Sequence, residues 1–333
     1  MKVAQPSILV VGGGIAGMEA ALGASALGAK VCLVESGPSL GGRVAQLHSL
    51  YPQLTSAMDL LKPRMRAVVE DPNIEVLTCA EPASATRSGR GFEVRLIKRA
   101  RHVDPSKCDL CGKCAEVCPA EAPDEFNLNL SRRKAIYLPF KEAVPRAYVL
   151  DEGSCAYFRD RSCRACAEAC PRGAVDLEEG AREVELRADA VILAVGYDPL
   201  DLTLKRELSF GASPDVVSGL QLERMLSLDG PTRGEVVMPS RGERPKSVAV
   251  VLCAGSRDQT ALAYCCRVGC MAGLKHAYEL KRKYGDAMDV YLCFNDIRAA
   301  GKGYEEFYRE ARRGGVVMMR GLPSEIRVRE GGG

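Results

Sequence analysis

The chain is short of histidine, has no export signal and has no run long enough to cross a membrane, and each shortage removes a class of protein. His48, His102 and His276 are scattered and read as structural or surface residues, and no Ser-His-Asp set or pair of carboxylates with an obvious acid/base role accompanies them. Catalysis by a serine-type triad or a carboxylate pair is therefore not expected. No N-terminal stretch combines the charged, apolar and small-residue regions of a signal peptide, and no apolar run reaches the roughly 18 residues that span a bilayer. A cytoplasmic location is the expectation. No basic, aromatic-interleaved stripe tracks a phosphate backbone, and the formal charge is only +3, so nucleic acid is not an expected partner. What the chain has in excess is cysteine, with fifteen in 333 residues. Without an export signal these point to metal or redox chemistry rather than disulfides.

The stretch "SILVVGGGIAGMEAALGASALGAKVCLVES" (7–36) reads as strand, glycine turn, helix and second strand, a complete βαβ unit. The spacing Gly12-x-Gly14-x-x-Gly17 lets the backbone turn tightly, approach a pyrophosphate and pack the helix on the strand. Glu35 stands where an acidic side chain accepts ribose hydroxyls. The loop "SLGGRVAQL" (39–47) resembles the Gly-Gly-Arg loop of flavoproteins with two dinucleotide domains. That resemblance implies FAD rather than NAD, with Gly41, Gly42 and Arg43 beside it. It also implies that the flavin domain returns later in the chain, at "ADAVILAVGYDP" (188–199), where Ala194 and Gly196 would approach the flavin diphosphate. The FAD domain is expected over 1–103 and 182–218.

Between these parts, "CDLCGKCAEVCP" (108–119) carries Cys108, Cys111, Cys114 and Cys118 at the bacterial ferredoxin spacing for a [4Fe–4S] cluster. "CAYFRDRSCRACAEACP" (155–171) supplies Cys155, Cys163, Cys166 and Cys170, with the first gap stretched. The ferredoxin pattern would group Cys108, Cys111, Cys114 and Cys170 on one cluster and Cys118, Cys155, Cys163 and Cys166 on the other. Structural zinc is the rival reading. An inserted α+β ferredoxin-like domain is expected over 104–181, with 127–150 serving spacing and docking.

The second half, 219–333, begins like another nucleotide domain, with a strand in "KSVAVVLCAGSRD" (246–258), a helix in "GCMAGLKHAYELKRKYG" (269–285) and a strand in "MDVYLCFNDI" (288–297). The glycine triplet is missing, so no tight pyrophosphate cradle is expected. Cys253 stands at the strand end and "YCCRVGC" (264–270) puts Cys265, Cys266 and Cys270 at the helix start. These thiols could hold a third cluster, act as a vicinal dithiol, or pack as small core residues. Cys32, Cys79 and Cys293 lie in apolar strand-like runs and read as core. "GKGYEEFY" (301–308) either starts an amphipathic helix or brings Lys302 and backbone near a cofactor.

The order of these motifs, ending in "DIRAAGKGYEEFY" (296–308), is similar to that of the HdrA-like component of heterodisulfide reductase and its bacterial relatives. The resemblance implies an α/β, thioredoxin-reductase-like flavoprotein with two dinucleotide-binding domains, FAD in the core, and a cluster on Cys253, Cys265, Cys266 and Cys270. It also implies a homodimer core, partner iron–sulfur subunits and, in some members, electron bifurcation. Three departures stand out. "LTSAMDLLKPRM" (54–65) has no cysteine where the family often has a pair, the chain ends at "SEIRVREGGG" so that truncation of the flavin domain is expected, and no C-terminal ferredoxin follows. The expected function is an electron-transfer subunit joining FAD to [4Fe–4S] clusters. The alternative is a free-standing NAD(P)H-dependent disulfide reductase using Cys265 and Cys266.

Overall fold

A computed structural model describes residues 7–328. They fall into two compact units: one runs to Gln46 and resumes over Ala57–Tyr197, and the other joins Leu47–Ser56 to the chain from Asp198 onward. The compact division thus lies at 197/198 rather than at 218/219, and a short piece of the first hundred residues sides with the second unit.

In the first unit four parallel strands lie in the order Ala190–Leu193, Ser7–Val11, Lys30–Val34, Ile74–Leu77. Their runs of Val, Leu and Ile are covered on both faces, as a parallel sheet requires. One face takes the helices Ile15–Ala26 and Ala57–Glu70. The second presents Ala57, Leu61, Met65 and Val68, a helical stripe, to a core that includes Val10, Met18 and Leu33. The other face takes an antiparallel sheet ordered Arg182–Ala188, Gly91–Lys98, Ala80–Ser88. Val94 and Leu96 alternate inward from its middle strand onto Leu9, Val34 and Leu77. Burying a side chain such as Leu33 or Leu96 contributes about 1.5–3 kcal/mol.

The insertion leaves the antiparallel sheet after Lys98 and re-enters it at Arg182, its two ends bridged at Val103 and Val175. Its core gathers Val103, Ile136, Leu150 and Tyr157 with Cys114, Cys118, Cys155 and Cys166. The segment 127–150 docks it on the flavin-type half. Phe140 and Ala143 enter the core of Met18 and Leu61, and Phe140 stacks on Phe126 at 4.9 Å. The Leu40 N–H donates to the Val144 carbonyl at 2.9 Å.

The second unit has three parallel strands, Ser247–Val251, Asp289–Phe294 and Val317–Arg320. The helix Gly269–Tyr284 lies on them, with Leu274, Ala277 and Leu280 fully buried. The helix Gly219–Leu226 starts at a Ser218–Gln221 capping box. The helix Tyr304–Arg313 starts at Gly303, which is left-handed. The ring of Tyr304 packs edge-on against Tyr51 at 5.4 Å and leaves no room for a Cβ at Gly301. The glycines of "GKGYEEFY" therefore start and pack a helix. Among the described residues no helix is long and apolar enough to cross a membrane.

Candidate flavin and iron–sulfur sites

The first cradle follows from its glycines. Gly12 is left-handed at φ +110°, and a Cβ there would stand 2.2 Å from the Ala194 carbonyl oxygen. At Gly17 a Cβ would stand 1.8 Å from the Gly12 oxygen, so only hydrogen lets the helix meet the strand. Gly14 differs: nothing lies nearer than 4.0 Å, which leaves backbone open for a ligand's approach. The helix beginning at Ile15 has no side-chain cap and no acid in its first turn, the arrangement that receives an anion.

Glu35 ends the second strand. Its carboxylate accepts from the Gly13 N–H at 2.7 Å and the Gly37 N–H at 2.6 Å, tying the glycine turn to the next loop. Gly41 and Gly42, both at positive φ, rest against the turn: the Gly41 N–H donates to the Gly13 carbonyl at 2.9 Å. Arg43 reaches Gln46 at 3.3 Å. Ala194 is anchored to Val11 by its N–H at 2.8 Å, and Gly196 has open space around it. The residues present thus fit a dinucleotide, with open backbone, an uncapped helix and a carboxylate at the strand end.

The insertion builds two hollows lined by its cysteines. Cys108, Cys111, Cys114 and Cys170 line the first, with Tyr148 and Arg172 at its wall. Cys118, Cys155, Cys163 and Cys166 line the second. Each therefore takes three thiols from one cysteine segment and one from the other. Leu110 and Gly112, both left-handed, curl the first loop around its thiols, and Cys114 rides the short helix Lys113–Glu116. The long gap between Cys155 and Cys163 is filled by the helix Ala156–Asp160, which buries Tyr157. Burial, with Cys108 and Cys170 nearby, pushes the Cys114 thiol up to about 12. Burial followed by Cys155 and Cys118 pushes Cys166 up to about 11. Loading a metal there must displace protons.

In the second unit Cys253, left-handed at φ +55°, is brought to Cys265, Cys266 and Cys270. Burial and then Cys270 raise its thiol, and burial raises Cys270, with Cys266 and Cys265 adding to it. The helix N-terminus is engaged by sulfur. The Gly269 N–H donates to Cys266 Sγ at 3.2 Å, and the Arg267 N–H to Cys265 Sγ at 3.3 Å. A Cβ at Gly269 would press on Cys266 Sγ at 2.9 Å. Among the described residues no three His, Cys, Asp or Glu side chains close on one point as a single ion requires.

The remaining cysteines are elsewhere. Cys79 and Cys293 are buried, and burial followed by the charge of Glu75 pushes the half-buried Cys32 up to about 12. Sequence reasoning passes over two buried polar groups. Arg101 is 6% exposed and lies where the insertion meets the flavin-type half. Glu223, Lys275 and His276 form a buried knot in the second unit: His276 Nε2 is 2.6 Å from Glu223 Oε1, Lys275 pairs with the same oxygen, and Lys275 Nζ donates to the Ser49 carbonyl at 2.9 Å. The His48 N–H donates to Glu223 at 2.9 Å, which ties residues 47–56 to this unit. His102, too, is wholly buried, with Nε2 2.8 Å from Glu152.

Residues 7–55 match the family model of an FAD dependent oxidoreductase, and residues 101–124 match that of a 4Fe-4S binding domain. The iron-sulfur component HdrA of CoB–CoM heterodisulfide reductase from Methanocaldococcus jannaschii is 44% identical over 322 residues, covering 96% of this chain and 48% of that protein. This chain is similar to HdrA over nearly its whole length. The corresponding component of the Methanothermobacter marburgensis H(2):CoB-CoM heterodisulfide,ferredoxin reductase is 42% identical over 96% of this chain and 48% of its own length. The chain spans about half the length of the curated relatives it matches. Lactococcus lactis thioredoxin reductase (FR conformation) aligns with a TM-score of 0.47 at 11% identity, over 98% of this chain and 68% of that one. The fold is α/β, with an FAD-oxidoreductase-type nucleotide unit interrupted by a 4Fe-4S-type insertion.

Proposed function

We propose that this chain is the FAD- and iron–sulfur-containing electron-transfer subunit of a heterodisulfide-reductase-like complex. The observation that carries this reading is the division of labour between the two βαβ units: one keeps an open glycine cradle, and the other fills the corresponding place with four thiols. In this reading Gly12, Gly14, Gly17, Gly41, Gly42, Arg43, Ala194 and Gly196 surround FAD, with Glu35 at its ribose. Cys108, Cys111, Cys114 and Cys170 hold one cluster, Cys118, Cys155, Cys163 and Cys166 a second, and Cys253, Cys265, Cys266 and Cys270 a third. FAD supplies two-electron chemistry and the clusters supply one-electron transfer when bound.

The protein's part is positioning and insulation. Glu35 locks the glycine turn against the adjoining loop, the Leu40–Val144 contact holds the insertion against that same loop, and backbone N–H groups donate to the thiols. Partner iron–sulfur subunits, a homodimeric core and a cytoplasmic location belong to the same proposal. The test is anaerobic reduction of the purified, reconstituted protein. A flavin bleached by a low-potential one-electron donor, with cluster signals appearing together and no bleaching by NADPH, is the expected result. Bleaching by NADPH without iron–sulfur signals would instead favour a free-standing disulfide reductase.

A further inference from the structure

Arg101 stands shortly before the first ferredoxin-type run, and its guanidinium is buried at the seam between the insertion and the flavin-type half. Nε donates to the Tyr148 carbonyl at 3.0 Å, one terminal nitrogen to the Pro38 carbonyl at 2.7 Å, and the other to the Ala147 carbonyl at 2.8 Å. Pro38 lies in the loop between Glu35 and the Gly41–Gly42 pair, whereas Tyr148 lines the hollow of Cys108, Cys111, Cys114 and Cys170. Among the described residues no carboxylate pairs with this guanidinium: Glu179 accepts from the backbone N–H groups of Arg101 and His102, at 3.1 and 2.6 Å, and not from the side chain. Cys79, a buried thiol, lies beside the guanidinium and shares a side-chain hydrogen bond with it.

A buried cation without a counter-ion is costly, by several kcal/mol, and neutral carbonyls repay only part of that. What is missing is a negative charge, and a place for one is the hollow whose lining includes Tyr148, the residue that Nε grips, and Cys108, which feels the guanidinium's charge. Four thiolates on an oxidised cubane carry roughly −2 net, and one-electron reduction adds a further negative charge without making or breaking a bond. A fixed positive charge in a poorly screened interior favours the more negative state.

We propose that Arg101 is the internal counter-charge of the cluster at Cys108, Cys111, Cys114 and Cys170, raising its reduction potential above that of the cluster at Cys118, Cys155, Cys163 and Cys166. This rests on the ligand sets proposed above. The same side chain ties that potential to the docking of the flavin loop, because it grips Pro38 with one nitrogen and the hollow's wall with another. Arg101 is in this sense a positioning and tuning residue that touches no reacting atom.

The test is a potentiometric titration followed by electron paramagnetic resonance, with iron content measured alongside, on wild type, Arg101→Met, Arg101→Lys and Cys79→Asp. In Arg101→Met one of the two insertion centres should become harder to reduce by at least about tenfold in its equilibrium constant, about 59 mV for one electron, with the other shifting less. Arg101→Lys should retain most of the wild-type value. Cys79→Asp leaves Arg101 and its carbonyl partners in place while adding a buried carboxylate beside it. It should lower the same centre, and so decides the matter should Arg101→Met fail to load iron. Loaded Arg101→Met or Cys79→Asp with both potentials unmoved would overturn the proposal. Wild-type protein that takes up no cluster in the insertion would overturn the ligand sets themselves.

Discussion

The two βαβ units of this chain start from the same plan and diverge at one turn. In the first, strand and helix are joined by residues 12–14 alone, the helix N-terminus is left without a side-chain cap, and a Cβ at Gly14 would meet nothing nearer than 4.0 Å. In the second, residues 252–268 separate strand from helix, and the first helical N–H is donated to Cys266. Both keep a glycine where the helix crosses the strand: Gly17 against the Gly12 carbonyl and Gly273 against Leu252. Helix-on-strand packing therefore survives while the phosphate loop does not. Packing and ligand choice are separable properties of the unit, since the first needs one missing Cβ and the second depends on what the turn presents.

The sharpest way to break the first cradle alone is Gly17→Val. Its side chain would be built into backbone, which cannot yield as a flexible side chain can, so destabilisation of about 3 kcal/mol or more and loss of bound FAD are expected. Flavin absorbance after purification and iron per chain give the reading, with iron in the second unit retained. Glu223→Gln acts on the other unit by leaving Lys275 buried without its partner, and should cost about 3–5 kcal/mol near neutral pH in denaturant unfolding. Burial alone would raise the Glu223 carboxyl, but the His276 hydrogen bond and then the His276 and Lys275 charges hold it down at about 2. Its stabilisation is thus full above its ordinary value of 4.5 and is lost as pH falls towards 2. The gap between wild type and variant should close over that range.

Smaller effects refine the contrast. Glu35→Ala removes the acceptor shared by the Gly13 and Gly37 N–H groups, and FAD should bind about 10–100-fold more weakly by fluorescence titration, with no change in iron. Gly273→Ala presses on side-chain atoms alone, Leu252 Cδ2 at 2.3 Å and Val250 Cγ1 at 3.3 Å, which can shift where backbone cannot. A loss of about 1–2 kcal/mol in the unfolding of the second unit is expected, without loss of iron.

Local features are legible in the sequence. The glycine spacing, the alternation of strands and helices, and the ferredoxin-type runs are all set by residues a few positions apart, where sequence patterns carry information. What is not legible depends on distant partners. Residues 47–56 side with the second unit because Ser49 and His48 meet Lys275 and Glu223, far along the chain. Arg101 looks in sequence like one of many surface cations, since nothing in its neighbourhood announces that Pro38, Ala147 and Tyr148 will close around it. Scatter along the chain leaves His102 and His276 open between structural and surface roles, and burial beside carboxylates makes them structural.

The central claim, that the second unit holds a cluster where the first holds a nucleotide, is tested most directly by iron, acid-labile sulfide and FAD per chain in anaerobically reconstituted wild type and in a Cys266→Ala, Cys270→Ala variant. The account predicts about twelve irons falling to about eight, as the loss of one cubane of three requires, with FAD unchanged. Equal iron in both proteins would contradict it and return the four thiols of the second unit to packing or dithiol chemistry.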